Sequence, residues 1–329
     1  QCPIAEGHCH GAREIYLLRL GDHDNLCVSR SAIPRWCGGR RQCDNIRSGH
    51  IDLRHHRSRL GLGAHFLPSV EIIMTTAANM RTLVEVANLC VSYGSDEDEN
   101  RVLDGVDLRV EDGDVLCIVG GSGCGKSTLL KTIIGLVAPK SGQVRLLGES
   151  LHTLTEQDQA RLLKRVGVMF QYGALLNSLT VGENVALPLQ MHTDLTPDFI
   201  DDLVETRLAL VGLDSTSHLL PTELSGGMRK RAALARAMSL EPEVLFCDEP
   251  GAGLDPETAA GIDRLLLSLN QQLGMGIVIV THELMSIDRL NGDLVMLDEG
   301  RVAYRGSVAS ARQADMEGLR RFFYPDGAA

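Results

Sequence analysis

The stretch Val115-Leu116-Cys117-Ile118-Val119-Gly120-Gly121-Ser122-Gly123-Cys124-Gly125-Lys126-Ser127-Thr128 decides how the rest of this chain is read. Its first half is a short, continuous apolar run, the pattern of a strand buried on both faces of a parallel sheet. Its second half matches GxxxxGK[ST]. Glycines there let backbone N–H groups converge on phosphate oxygens, and a helix starting near Lys126 turns its positive end toward the same anion. Lys126 adds a point charge for the β and γ phosphates. Ser127 offers a hydroxyl to Mg²⁺, and Thr128 continues the helix start. The segment therefore predicts a strand, a phosphate-cradling loop and a helix.

Working outward, Leu83 to Val91 alternates as a strand, with Leu83, Glu85, Ala87, Leu89 and Val91 on one face and Val84 and Val86 on the other. A second alternating run, Val102 to Val110, suggests an antiparallel sheet beside the first. Further strands are expected at Val144 to Leu147, Val244 to Cys247 and Ile277 to Val280. Leu294 to Leu297, Asp298-Glu299-Gly300 and Arg301 to Tyr304 read as a hairpin. Residues 153–240 carry helical periodicity and read as an inserted helical subdomain. Strands separated by helices imply an α/β domain.

Two other segments carry chemistry. Val244-Leu245-Phe246-Cys247-Asp248-Glu249 is an apolar strand ending in two acids. Asp248 can hold Mg²⁺ through water, and Glu249 can orient and polarise an attacking water. Leu224-Ser225-Gly226-Gly227-Met228 precedes a helical run from Arg229 to Met238. Ser225 is a natural N-cap, and the two glycines leave this helix start bare, so it is a second anion-binding terminus. Arg229, Lys230 and Arg231 read as the solvated or interface face of that helix.

Phosphate loop, Leu-Ser-Gly-Gly, Asp248-Glu249 and then Thr281-His282 occur in that order, and over about 82–306 the chain resembles an ABC-transporter nucleotide-binding domain. That resemblance implies a P-loop NTPase with a RecA-like core, an antiparallel β subdomain and an inserted α-helical subdomain. It also implies roles. Tyr93 resembles the aromatic that stacks on adenine. Gln171 resembles the glutamine that contacts Mg²⁺ and the water, and His282 the histidine at the γ-phosphate. Gly253-Leu254-Asp255 looks like the loop crossing the interface of a homodimer. In such a dimer Ser225, Gly226 and Gly227 of one copy cover the ATP held by the other.

The run Arg165 to Leu189, with Met228, closely resembles the Mla-type ATPases. This implies an MlaE-like permease, an MCE-domain MlaD-like protein and a STAS-domain MlaB-like protein as partners. Phospholipid would be the cargo, and the site of action the cytoplasmic face of an inner membrane. An importer ATPase for a small solute would share every motif. A soluble ABC ATPase acting on ribosomes or DNA is disfavoured by the single cassette.

Composition agrees with this frame. Net charge is -11, which argues against a nucleic-acid partner. No run of 18 predominantly apolar residues occurs, so a membrane crossing must come from another chain. The nine cysteines sit mostly in apolar runs or without metal-site spacing, and read as reduced thiols. Cys124, beside a helix start, is expected to react with alkylating reagents unless nucleotide protects it.

Residues 1–79 differ from the rest. Up to residue 73 there are ten Arg, no Lys and seven of the eleven His, without a persistent apolar period. This reads as a disordered extension or as upstream sequence translated from an early start, with His8, Cys9 and His10 a chance grouping. Residues 80–329 are expected to form the ATP-binding domain, with 307–329 as a short tail.

Overall fold

The computed structural model describes residues 81–94 and 99–324. The reading of 1–79, including His8, Cys9 and His10, lies outside the described residues.

Two sheets organise the chain. The larger contains β3 (Val115–Gly120), β6 (Val166–Met169), β7 (Val244–Asp248), β8 (Gly276–Val280), β9 (Asp293–Asp298) and β10 (Arg301–Ser307), in the order β10-β9-β3-β8-β7-β6. Every neighbouring pair is parallel except β10 on β9. The smaller sheet is antiparallel, in the order β2-β1-β4-β5, from β1 (Thr82–Tyr93), β2 (Asn100–Glu111), β4 (Ser141–Leu146) and β5 (Glu149–Ser150).

The unbroken apolar runs of the parallel strands have a simple cause. Successive side chains point to opposite faces, and both faces are covered. Cys117, Val119, Leu245, Cys247, Ile277 and Ile279 enter one core, with α3 (Val181–His192), α4 (Pro197–Leu210), α5 (Gly226–Ala237) and α6 (Pro256–Leu273) packed over it. Leu116, Ile118, Phe246, Val278 and Val280 enter the other, closed by α1 (Lys126–Ile133) and by the antiparallel sheet. Full burial of such a side chain contributes roughly 1.5–3 kcal/mol. Polar alternation on either face would therefore be costly.

The short helices α2 (Glu156–Leu163), α7 (Leu284–Leu290), α8 (Val308–Gln313) and α9 (Glu317–Phe323) complete the order. Residues 307–324 are not a loose tail. Val308, Ala311, Leu319 and Phe323 are buried in the first core, and the Arg312 guanidinium lies 4.6 Å from the Phe323 ring centre while pairing with Asp288.

Three expectations need correction. Alternation does not persist through β1. Val84 and Val86 are buried, but so are Leu89 and Val91, because a bulge at Asn88 switches the faces. Asn88 has φ +46°, and its N–H donates to Asp107 at 2.9 Å; an extra residue in one strand re-aims everything after it. The span 153–240 is not wholly helical, since Val166–Met169 is the edge strand of the large sheet. Four residues are too few to show a period. Finally, β4 begins at Ser141, earlier than its apolar part suggests. The hairpin turns through Glu299 and Gly300 with φ +45° and +77°, as a tight two-residue connection requires.

Candidate active site

β3 ends at Gly120, and α1 starts six residues later. Two glycines make that connection possible. Gly120 has φ +147°, and a Cβ on it would lie 2.3 Å from the Leu297 carbonyl oxygen. Gly125 has φ +104°, and its Cβ would fall 2.6 Å from Leu103 Cδ2. Gly121, Ser122 and Gly123 are exposed between them. α1 has no side-chain cap, so its first amide donors are not taken up by its own sequence. Lys126 Nζ donates to the carbonyls of Gly120 and Gly121, both at 2.8 Å, which folds the ammonium over the loop. Ser127 is exposed at the helix start, with Thr128 half-buried behind it. Cys124 is buried, so a reagent meets its thiol far less readily than loop position alone suggests.

The remaining groups arrive on the carboxyl ends of neighbouring parallel strands, where open α/β sheets form their crevice. β7 delivers Asp248 and Glu249, and β6 runs out two residues before Gln171. β8 ends at Val280, two residues before His282, and Thr281 N–H donates to Ile118 O of β3 at 3.2 Å. Gln171 Nε2 donates to Glu249 Oε2 at 2.7 Å, and His282 Nδ1 lies 2.9 Å from Glu249 Oε1. Glu249 is thus held from both sides. Its backbone has φ +46°, fixed by its N–H donating to Val280 O at 2.9 Å. A non-glycine residue in this region stores strain. Burial pushes the Asp248 carboxyl above its ordinary range, the neighbouring Glu249 charge adds to that, and Lys131, Lys230 and Lys126 oppose it.

Family-model comparison matches residues 103–252 to the ABC transporter family. The chain is 38% identical over 227 residues to methionine import ATP-binding protein MetN 2 of Pseudomonas entomophila, spanning 69% of this chain and 68% of that protein. The chain belongs to the ABC transporter family. It is an ATP-binding, ATP-hydrolysing cassette. It is also 40% identical over 205 residues to the probable ribonucleotide transport ATP-binding protein mkl of Mycobacterium tuberculosis, spanning 56% of that protein. A dimeric structure of the ATP-binding cassette MJ0796 bound to ADP and Pi superposes with a TM-score of 0.64 at 29% identity, covering 68% of this chain and 98% of that one. CbiO1 from Clostridium perfringens, part of the transporter complex cbiONQ, gives 0.63 at 27% identity, covering 75% and 92%.

Other expected residues of the cassette lie elsewhere. Tyr93 ends β1, 44% exposed, on the antiparallel sheet whose Leu103 packs against Gly125. Ser225 caps α5, its hydroxyl accepting from Met228 N–H at 3.3 Å. Among the described residues, no hydrogen bond joins Ser225 to the phosphate loop. Gly227 has a reason beyond a bare helix start, since its Cβ would come within 2.4 Å of Thr258 Cγ2 on α6. Gly226 faces Leu254. Asp255 caps α6, accepting from the Glu257 and Thr258 amides, and the Thr258 hydroxyl first among its partners lowers its carboxyl.

The basic run at 229–231 is only in part a solvated face: Arg229 is exposed and Arg231 half-buried, but Lys230 is buried. Arg229 donates to Leu224 O at 2.9 Å and Arg231 to Val211 O at 2.7 Å. Lys230 is buried at 8% exposure, because it shares the inward side of α5 with Gly227 and Leu234. The three- and four-residue spacing of those positions was the available signal. Asn184 was also missed. It is fully buried in α3 and ties down 176–180 by accepting from Leu176 N–H and donating to the carbonyls of Leu176, Leu179 and Thr180.

Proposed function

We propose that this ATPase drives uptake of a small solute through a membrane-embedded permease, as two copies closing around two ATP molecules. The hydrolytic part rests on one observation: Glu249 lies between Gln171 and His282, at the carboxyl end of the same parallel sheet from which the phosphate loop leaves β3. In this reading Gly120, Gly121, Ser122, Gly123, Cys124, Gly125 and Thr128 cradle the phosphates by their backbone, and Lys126 leaves the Gly120 and Gly121 carbonyls to bind them. Glu249 accepts a proton from the attacking water while Gln171 and His282 fix its two oxygens. His282 meets the γ-phosphate, and Tyr93 stacks on the base. Ser225, Gly226 and Gly227 of the second copy close the site, with Asp255 at the crossing.

Ser127, Asp248 and Gln171 supply oxygen donors only, the set that suits Mg²⁺ alongside phosphate. Burial of Asp248 fits a cation, whose charge would relieve the cost of ionising it there. Mg²⁺ would supply charge neutralisation of the phosphates. Among the described residues no group of three or more His, Cys, Asp or Glu side chains is arranged to hold a metal ion, and in this reading the nucleotide phosphates would complete the site. Among them, too, no helix is long and apolar enough to cross a membrane. Peripheral association with a permease at an inner membrane follows from this reading.

Importer function is supported by the named role of the MetN relatives in methionine import. A second reading, phospholipid transport with MlaE-, MlaD- and MlaB-like partners, rests on the resemblance of the segment Arg165 to Leu189 to the Mla-type ATPases; its Tyr172 and Leu176 are exposed and open to a permease. Purifying the chain with its native membrane partners separates the two. ATP turnover stimulated by a small solute, methionine first, supports the importer. Glycerophospholipid retained stoichiometrically by the complex, with no solute response, establishes the second reading instead.

A further inference from the structure

Lys230 is a buried cation in an unusual setting. Its ammonium donates to the backbone carbonyl of Gln171 and to that of Glu249, the latter at 3.1 Å. Among the described residues it forms no ion pair. The side chains of the same two residues are bonded to each other at 2.7 Å. Lys230, Gln171 and Glu249 therefore form a closed ring. One ammonium sets the separation of two backbones, and the side chains those backbones carry meet on the far side. Lys230 enters this ring from α5, the helix that Ser225 caps. It lines a cleft of about 410 Å³ with Gln171, Gly226, Arg229, Ala252 and Leu254, where three segments from different parts of the chain meet.

Two physical features make this more than packing. An ammonium carries three donors, and backbone carbonyls cannot move aside as a side chain can. Glu249 also sits in a strained backbone conformation; its N–H donates to Val280 O, and its C=O accepts from the Lys230 ammonium as well as from Ala252 N–H at 3.2 Å. Burial lowers the Lys230 pKa, and the Glu249 and Asp248 charges oppose that shift.

We propose that Lys230 is a positioning residue that ties α5 to the backbones of Gln171 and Glu249, so that displacement of α5 repositions the catalytic carboxylate within the same copy. The proposal rests on the assignment of Glu249 above. It gives α5 a second task. Besides presenting Ser225 outward, the helix holds its own chain's Gln171–Glu249–His282 set in register.

The test is steady-state ATP turnover by the full chain with its membrane partners, with melting followed in parallel. Lys230→Met keeps the length and removes the donors. Misplacement of a reacting group by about 1 Å can cost on the order of a hundredfold in rate. The expected result is a kcat lowered at least about tenfold, a KM for ATP within about threefold, and an undiminished melting midpoint. Lys230→Arg, which retains donors, should recover most of the loss. If Lys230→Met does not fold, Lys230→Gln decides, since its shorter arm cannot reach both carbonyls and kcat should again fall at constant KM. A kcat near wild type, a loss that only tracks melting, or an Arg variant as slow as Met at equal stability would each overturn the proposal. Glu249→Gln run alongside separates the two claims. If it turns over freely, the assignment of Glu249 fails and Lys230 with it; if it is inactive while Lys230→Met is normal, Lys230 alone is discarded.

Discussion

α1 begins at Lys126 after Gly125 with no side chain capping it, whereas α5 begins after Ser225, whose hydroxyl accepts from Met228 N–H. Both are glycine-rich helix starts, and both expose partial positive charge. Their surroundings differ. The α1 terminus stands at the end of β3, beside strands that carry Asp248, Glu249 and His282, with Lys126 already folded over its loop. The α5 terminus is packed through Gly227 onto Thr258, and its serine remains exposed. In the proposed reading one start belongs to the half-site that carries the hydrolytic groups, and the other brings its donors to the nucleotide of the second copy. That division is what a nucleotide shared between two copies requires.

The contrast can be broken most sharply at Glu249. Glu249→Gln should lower turnover about a thousandfold, within the range general-base loss produces, while ATP binding by filter assay persists. Turnover within tenfold of wild type would falsify the assignment of the α1 half as hydrolytic.

A mixing experiment probes the division itself. Lys126→Ala disables the α1 terminus and Ser225→Arg the α5 terminus, so each protein alone should be inactive. If the two ends serve one nucleotide from different copies, mixed dimers contain one intact site, and an equimolar mixture should regain about a quarter of wild-type phosphate release. No recovery in a mixture shown to contain heterodimers would place both termini on the same copy's nucleotide.

Asp248 sharpens the comparison through stability. Its carboxyl is raised from an ordinary 3.8, first by burial. The folded chain thus holds that proton more tightly than the unfolded chain. This contribution is full below about 3.8 and lost as pH rises through the folded value. At neutral pH the ionised form is a burden. Asp248→Asn should raise stability at pH 7 by about 1 kcal/mol while abolishing turnover, and the gain should shrink as pH falls toward 4. Calorimetry across that range reads it; a gain that grows in acid would reverse the sign.

The smallest effect concerns the thiols. Burial pushes Cys117 and Cys247 up to about 12, so neither should react at neutral pH. Cys124 is buried under the loop and should alkylate slowly, with saturating nucleotide slowing it by roughly a further tenfold. Mass spectrometry against residual activity checks this. Full turnover with Cys124 modified would show that the loop tolerates the added group.

Much of this molecule was determined by sequence alone. Val115 to Thr128 determined a buried strand, a phosphate loop and a helix, because an apolar run and a required set of glycines are local properties. The acids after Val244 and the capped helix after Ser225 were legible for the same reason, as was the turn at Glu299-Gly300. Tertiary structure decided the rest. The bulge at Asn88 depends on Asp107 across the ladder, and the edge strand Val166–Met169 on pairing with β7. Lys230 looks like surface charge until α5 is packed and its ammonium finds two carbonyls distant in sequence. Composition and spacing record what a residue can donate, and only the closed fold decides which acceptors lie within hydrogen-bonding reach of it.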